Sequence, residues 1–320
     1  MPLFSAGQIK VQSGAAGTGI PYMVNLDRAT SVGVSYTIPR ADVSVLNRGK
    51  PLQDRPVINY VPVDVSINCY KSNKDIERSL GLVNSSNIIS NITETRNGYS
   101  TSGVRNLQVF YAPSTSSNYN SILDIKSGVL TTYAVQGSVG DPVTVSLSFQ
   151  ALEMSGGTNF NSRDSSNYAA ALVRPENATL TGILFTGVGL TGVTIQSFSF
   201  SLGINRTQIL ELGSRLPTER PLTDVNAGIQ VQGFFEGFNN AVTSLQTFSC
   251  GQPMDGEVTL AFTPSCITAE TTTINVVRPY FDSFSVEGQA GGFSTFTLSM
   301  NAPIGTNPTE TTNGSVVKIT

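Results

Sequence analysis

An acid, an arginine and a proline stand together twice in this chain, as Asp54-Arg55-Pro56 and as Glu219-Arg220-Pro221. Arg presents a planar fork of donors suited to a bidentate acceptor, and Pro fixes φ in the loop that carries it. Arg40 and Arg206 lie near the starts of the long stretches 39–56 and 204–221 that end at these prolines. Groups of this kind make contacts between polypeptides. Two readings follow: a contact with another subunit, or a local turn with a surface ion pair worth about 0–1 kcal/mol. Long connections in compact domains are often functional, so both loops are expected to reach a neighbouring subunit.

The other chemistry-bearing residue types are sparse. The chain has no histidine, which removes Ser-His-Asp and Cys-His nucleophiles, His-based zinc sites and His as a general base. Asp75 and Glu77 fall in the first turn of a predicted helix, where they favour its dipole. Glycosidase chemistry would need two carboxylates flanking a cleft, about 5–10 Å apart. No Trp-bearing sugar platform accompanies them. The glycines Gly182, Gly187, Gly189 and Gly192 are followed by no Gly-Lys-Ser/Thr and open no G-x-G-x-x-G helix, so no phosphate cradle is read. No catalytic, cofactor-binding or metal site is expected.

Charged residues are 13% of 320, against about 25% in ordinary globular chains. Ser, Thr, Asn, Gln and Gly take their place. With 26 Phe and Tyr and abundant Val and Ile, the chain can bury a core. Net charge is −3, divided as +2 over residues 1–155 and −5 over 156–320. That balance argues against a protein that coats nucleic acid. Cys69, Cys250 and Cys266 are odd in number and form no CxxC, which fits a reducing compartment, with a Cys250–Cys266 bridge as the alternative. No signal peptide is read at the N-terminus, and no run approaches 18 apolar residues, so no membrane span is expected.

These residues are carried by a repeated element. Leu107–Phe149 matches Val258–Met300 without a gap at an offset of 151. Tyr111-Ala-Pro-Ser114 corresponds to Phe262-Thr-Pro-Ser265, and Tyr133-Ala-Val-Gln-Gly137 to Phe284-Ser-Val-Glu-Gly288. Val143–Phe149 corresponds to Ser294–Met300, and Gly140 to Gly291, each expected at a turn. Upstream, Val34–Arg40 and Phe198–Leu202 align at an offset of 164, and the Arg-Pro pairs at 165. About 13 extra residues therefore lie in the first half, and the Asn/Ser-rich 83–104 is the place for them. Order and spacing are kept together, so one module is read as duplicated in tandem: 1–155, with the insertion, and 156–320. Ser155–Asn167 reads as the join.

Each module is predicted to be mostly strand. Val61–Ile67, Ile195–Leu202 and Val258–Phe262 alternate apolar and polar residues, separated by Gly, Pro, Asn and Ser. One short helix is predicted per module, over Ser72–Gly81 with Ser72 or Asn73 as N-cap, and over Phe238–Leu245. The termini, Met1–Tyr22 and Asn301–Thr320, read as poorly ordered tails or as arms that order on a neighbour. The fold class is all-β, an antiparallel sandwich or barrel with one short helix per module.

The run of strand, Pro-Arg, Val-x-Val-Leu-x-x-Gly, Arg-Pro, strand, short helix and two further β segments resembles the tail-tube proteins of long-tailed bacteriophages. The resemblance covers about Thr30–Phe149 and Thr194–Met300. It implies two tandem tail-tube-like β-sandwich or half-barrel domains. It further implies that chains join as trimeric, pseudo-sixfold rings, and that rings stack into a virion tail tube. Other tail proteins would be its partners, viral DNA would pass without sequence-specific binding, and assembly would occur in the bacterial host cytoplasm. Arg40, Asp54, Arg55, Pro56, Arg206, Glu219, Arg220 and Pro221 become candidate subunit or inter-ring contacts. The resemblance also admits a distal-tail, hub or tail-terminator ring that does not polymerise. A cell-surface β-sandwich adhesin is the reading from a different class; it would call for exposed aromatics or calcium carboxylates in loops that are here mainly Ser, Asn and Thr.

Overall fold

A strand that alternates Val, Ile, Leu or Phe with Ser, Thr, Asn or Gln buries one face and keeps the other wet. In the computed structural model these runs are strands nearly throughout, and the chain is all-β. The structure describes residues 4–13, 23–26, 28–36, 38, 43–47, 50–54, 62–72, 74–85, 88–92, 104–113, 121–158, 172–173, 178–181, 184–185, 188–189, 193–212, 216–235, 253, 256–263, 271–288, 294–305 and 315–320.

The first half contributes β1 (Phe4–Ser13), β2 (Met23–Asn25), β3 (Ala29–Tyr36), β4 (Val43–Asn47), β5 (Lys50–Asp54) and β6 (Val63–Tyr70). The helices α1 (Asp75–Leu80) and α2 (Ile89–Ile92) follow, then β7 (Val104–Pro113), β8 (Ser121–Ser138), β9 (Thr144–Ala151) and β10 (Glu153–Thr158). The second half contributes β11 (Ala178–Thr181), β12 (Leu184–Phe185), β13 (Val188–Gly189), β14 (Val193–Arg206) and β15 (Leu222–Phe235). It ends with β16 (Glu257–Phe262), β17 (Thr272–Val277), β18 (Tyr280–Glu287), β19 (Ser294–Pro303) and β20 (Val316–Ile319).

One antiparallel path of eight strands runs β3-β6-β9-β8-β14-β15-β19-β18. Its first four strands come from the first half and its last four from the second. A second layer belongs to each half: β2-β1-β7 with the start of β8 and β10, and β11-β16-β17-β20. Phe198 of β14 meets Phe262 of β16 with ring centroids 5.6 Å apart, so the layers of the second half face one another across apolar side chains. In the first half Ile9, Leu107 and Val109 join Val65, Ile67 and Leu147 in the buried cluster.

The two halves share their strand pairing. Val65 opposes Phe149, and Ile229 opposes Met300, which stands 151 positions after Phe149. A bulge interrupts β8 against β9 between Leu130 and Thr132, and β18 against β19 between Phe281 and Ser283, again 151 apart. The eighteen-residue β8 passes through both layers of its half, whereas β17 and β18 divide the same course at Arg278 and Pro279. Proline cannot donate to a ladder, which accounts for the break. The upstream alignment needs a correction. Val34 opposes Val65 and Phe200 opposes Ile229, so Val34 corresponds to Phe200 at an offset of 166, where the sequence suggests Phe198 at 164. A two-residue shift leaves every side chain on the same face, so alternation could not reveal it.

Other local expectations also change. Helix α1 starts after Lys74, which makes no side-chain cap bond, while Gly81 closes it in the left-handed conformation at φ 70°. Its end is tied down by Arg105, whose guanidinium donates to the Leu80 carbonyl at 2.7 Å. Phe4–Ser13, expected as part of a tail, pairs with β7 along its length. Val316–Ile319, expected as part of the other, pairs with β17 and is largely buried. Ser155–Thr158, read as linker, is strand β10 on the edge of β8. The insertion does not hang free: Asn84 and Ile88 donate backbone N–H groups to Ile319 and Val317, and Ile88, Ile89 and Ile92 are buried. The first half's extra segment thus covers β20 of the second. The helix expected at Phe238–Leu245 lies outside the described residues, as do Gly291, Cys250 and Cys266.

Candidate assembly surface

The ladder between β8 and β14 joins the two halves. It runs from Ser138 opposite Ser197 to Thr132 opposite Gly203, and its inward residues Tyr133, Val135, Phe200 and Leu202 have no exposed surface. The Tyr133 and Phe200 rings meet edge to face, 6.3 Å between centroids. Gly137 is required here, because a Cβ on it would lie 2.8 Å from the Phe198 ring. Gly140 serves the turn expected of it, at φ 98°.

Beneath this ladder lies a buried polar triad. Tyr133 donates its hydroxyl to Glu77 Oε1 at 2.6 Å, and Lys71 Nζ donates to Glu77 Oε2 at 2.7 Å. All three residues are fully buried. Paired and hydrogen-bonded, the charges are tolerated; either one alone would be costly. Burial together with the Glu77 carboxylate holds the Tyr133 phenol well above its usual range. Burial likewise pushes the nearby Cys69 thiol up to about 12, and this cysteine is free. Glu77 is therefore more than a helix-dipole partner: it ties α1 to the strand that joins the halves. Asp75, by contrast, is half-buried and lies 3.7 Å from Arg78.

Two of the candidate arginines brace the same joint. Arg220 is 7% exposed and donates to the main-chain carbonyls of Ser127 at 3.0 Å and Gln150 at 3.4 Å, both in the first half. Arg206 donates to the Arg220 carbonyl at 3.0 Å and to the Ile92 carbonyl of the insertion. Gln208 Nε2 donates to Gln150 Oε1 at 2.5 Å. These donors are engaged within the chain. Main-chain carbonyls, which leave no trace in side-chain spacing, accept from both arginines.

Glu219 and Asp54 occupy matching hairpin positions. Ile209 bridges Glu219, and Val43 of β4 opposes Asp54 of β5. Pro221 accepts the Thr207 N–H at 3.1 Å. The second hairpin exposes Ile209, Leu210 and, completely, Leu212. Arg40, Arg55 and Pro56 lie outside the described residues.

The outward face of the eight-stranded sheet is built mainly from uncharged polar residues, with Tyr70 and Phe234 beside them. β6 and β9 supply Ser66, Asn68, Thr144, Ser146 and Ser148; β8 and β14 supply Thr132, Gln136, Ser197, Ser199 and Ser201; β15 and β19 supply Gln230, Gln232, Thr295, Thr297 and Ser299. No Lys or Arg stands at these alternating positions. The acids Asp64, Asp224 and Glu287 lie toward its margins. The face is tied by cross-strand rungs that recur in both halves. Asn68 donates to Ser31 at 2.9 Å, and Ser197 at the matching place donates to Gln232 at 3.2 Å. A groove of about 500 Å³ crosses the face at the joint, between Tyr70, Gln136, Ser197 and Gln232.

No protein-family model matches this sequence, and no curated protein matches it. None of the described helices is long and apolar enough to cross a membrane.

Proposed function

We propose that this chain is a structural virion subunit, the major tail-tube protein of a long-tailed bacteriophage. The observation that carries the reading is the β8·β14 ladder. It pairs the last strand of one four-stranded unit, β8, with the first strand of the next, β14. The same operation leaves β3 and β18 as the two ends of the eight-stranded path. Repeating it between chains adds eight strands per copy, and a heterologous contact of this kind closes into a ring when the rotation fits. Closure also removes the exposed edges that invite uncontrolled pairing. Three copies give a ring of six units, the pseudo-sixfold arrangement that the resemblance implies.

The uncharged sheet face supports a channel role. Affinity for nucleic acid scales with the phosphates that Lys and Arg neutralise. A wall of hydroxyls and amides, with acids at its margins, offers none of these contacts and lets a duplex slide. The apolar hairpin tip at Ile209, Leu210 and Leu212 is suited to the next ring of a stack. Assembly would take place in the bacterial host cytoplasm, with other tail proteins starting and ending the tube.

Electron microscopy of the purified chain over a range of concentrations, with mass measurements on the same samples, tests this. Hollow tubes with a regular axial repeat are expected. Closed rings that never stack would replace the tube subunit with a terminator or hub ring. A monomer that binds glycans would overturn the reading in favour of an adhesin.

A further inference from the structure

Resting on that assembly, we infer that β18 of one copy pairs antiparallel with β3 of the next in a single register. Val286 stands opposite Val34, Ser285 opposite Ser35, and Phe284 opposite Tyr36.

The register is copied from within the chain. At the internal joint Val135 opposes Phe200, Ala134 opposes Ser201 and Tyr133 opposes Leu202. β18 corresponds to the end of β8 at 151 positions, with the bulge at the same place in both. Tyr133, Ala134 and Val135 therefore become Phe284, Ser285 and Val286. β3 corresponds to β14 at 166 positions, because Val34 and Phe200 oppose matching residues of β6 and β15. Phe200, Ser201 and Leu202 become Val34, Ser35 and Tyr36.

Burial points the same way. The four internal residues Tyr133, Val135, Phe200 and Leu202 are 0% exposed. Their counterparts Val34, Phe284 and Val286 are only partly covered, and Tyr36 is 53% exposed. Among the described residues β3 pairs only with β6, and β18 only with β19. Each edge thus carries the apolar residues that the internal joint hides, on the same face and at the same spacing. A slip of one residue would turn them to the wet face. One further group is unmatched: Asn301 Oδ1 is buried without a hydrogen-bond partner among the described residues, at the position where Gln150 accepts from Gln208 across the joint.

Cysteine cross-linking reads the register directly. Directly opposed residues of an antiparallel pair have Cβ atoms about 4.5–5.5 Å apart, close to disulfide geometry, whereas diagonal neighbours are about 7–8 Å apart. The full chain would carry Ser35→Cys and Ser285→Cys in a background of Cys250→Ser and Cys266→Ser. Circular dichroism of the reduced protein checks that the strands have formed. Mild oxidation of the assembled protein should give covalent multimers up to the full ring. Either single cysteine, or Ser35→Cys with Ser283→Cys, should give none. Rings that assemble normally but cross-link through Ser283, or not at all, would overturn this register while leaving the ring intact. Failure of the unaltered chain to assemble by sedimentation would remove the ring and the register together.

Discussion

Ser127 and Arg278, 151 positions apart, have the same left-handed backbone, φ 54° and φ 55°. Among the described residues only Arg28 is another non-glycine with positive φ. Such a backbone costs a side-chain-bearing residue about 1 kcal/mol or more, and its surroundings must enforce it. At both sites the chain turns from the smaller layer into the eight-stranded sheet. The carbonyl next to each kink is used: Ser127 accepts from Arg220, and Arg278 accepts from Ser315 at 2.8 Å. Both halves keep the kink; in the first half Arg220 of the second uses its carbonyl to brace the joint.

The Tyr133–Glu77 bond is expected to matter more than the loss of one hydroxyl suggests. Tyr133→Phe keeps the ring, and Phe284 already fills the matching place in the second half. It leaves Glu77 Oε1 without its 2.6 Å donor. The expected cost is about 1.5–3 kcal/mol, the range for bonds to charged groups. Glu77→Gln takes the counter-charge from the buried Lys71 ammonium, so about 3–5 kcal/mol is expected. Urea titration of the unassembled chain, followed by circular dichroism, measures both. Equal, small losses for the two variants would show that the triad is not a unit.

Arg220→Lys is expected to behave almost like Arg220→Ala. The guanidinium reaches carbonyls of Ser127 and Gln150, while lysine offers one compact head in place of a fork. Each variant should lose about 2–3 kcal/mol. Limited proteolysis should then cut between the halves sooner than within them. Full stability of the lysine variant would reduce Arg220 to a simple point charge.

Alkaline pH should unfold the chain through two buried protons. The Cys69 pKa rises from 9.0 in the open chain to about 12 in the fold, and Tyr133 is held well above 10.0. Both groups keep their protons when folded and release them when unfolded. Their stabilisation is therefore complete below about pH 9 and is lost as pH rises toward 12. Each titrating group contributes a slope of about 1.4 kcal/mol per pH unit. Denaturation midpoints at pH 8 and pH 11 measure the fall. Cys69→Ala should flatten it, and a slope unaltered in that variant would exclude the thiol as its source.

Charge placed on the polar face should give the assembly a DNA affinity that the unaltered assembly is expected to lack. Ser199→Lys with Gln232→Lys puts two cations on adjacent strands of that face. Assembled variant protein should retain duplex DNA at low salt. The logarithm of its affinity should fall against the logarithm of salt with a slope of about −0.9 for each phosphate contacted. Equal retention by the unaltered assembly would contradict a weakly interacting wall.

Much of this was legible in the sequence, for a physical reason. Alternation in Val258–Phe262 and Val143–Phe149 identifies half-buried strands, and the fixed spacing of 151 makes the second half echo the first. What could not be read depends on main-chain geometry or on contacts across long separations. Arg206 and Arg220 stood out as a pattern, but their acceptors are carbonyls, which every residue carries. Lys71 gave no signal at all. Tyr133 gave one: it aligns with Phe284, and that single hydroxyl is the difference between a simple core and the triad. Phe4–Ser13 and Val316–Ile319 read as tails because strands that pair far along the chain have no local mark beyond alternation.

Amide hydrogen exchange in the assembled and dissociated protein tests the shared-edge account most directly. Segment 132–138 in the internal ladder should be protected in both states. Segments 29–36 and 280–287, the two ends of the sheet, are paired on one side only, so the amides that point away from β6 and β19 should exchange freely when dissociated and become as protected as the internal ladder on assembly. Edges that exchange equally fast in both states would mean that copies meet through some other surface, and the account would fail.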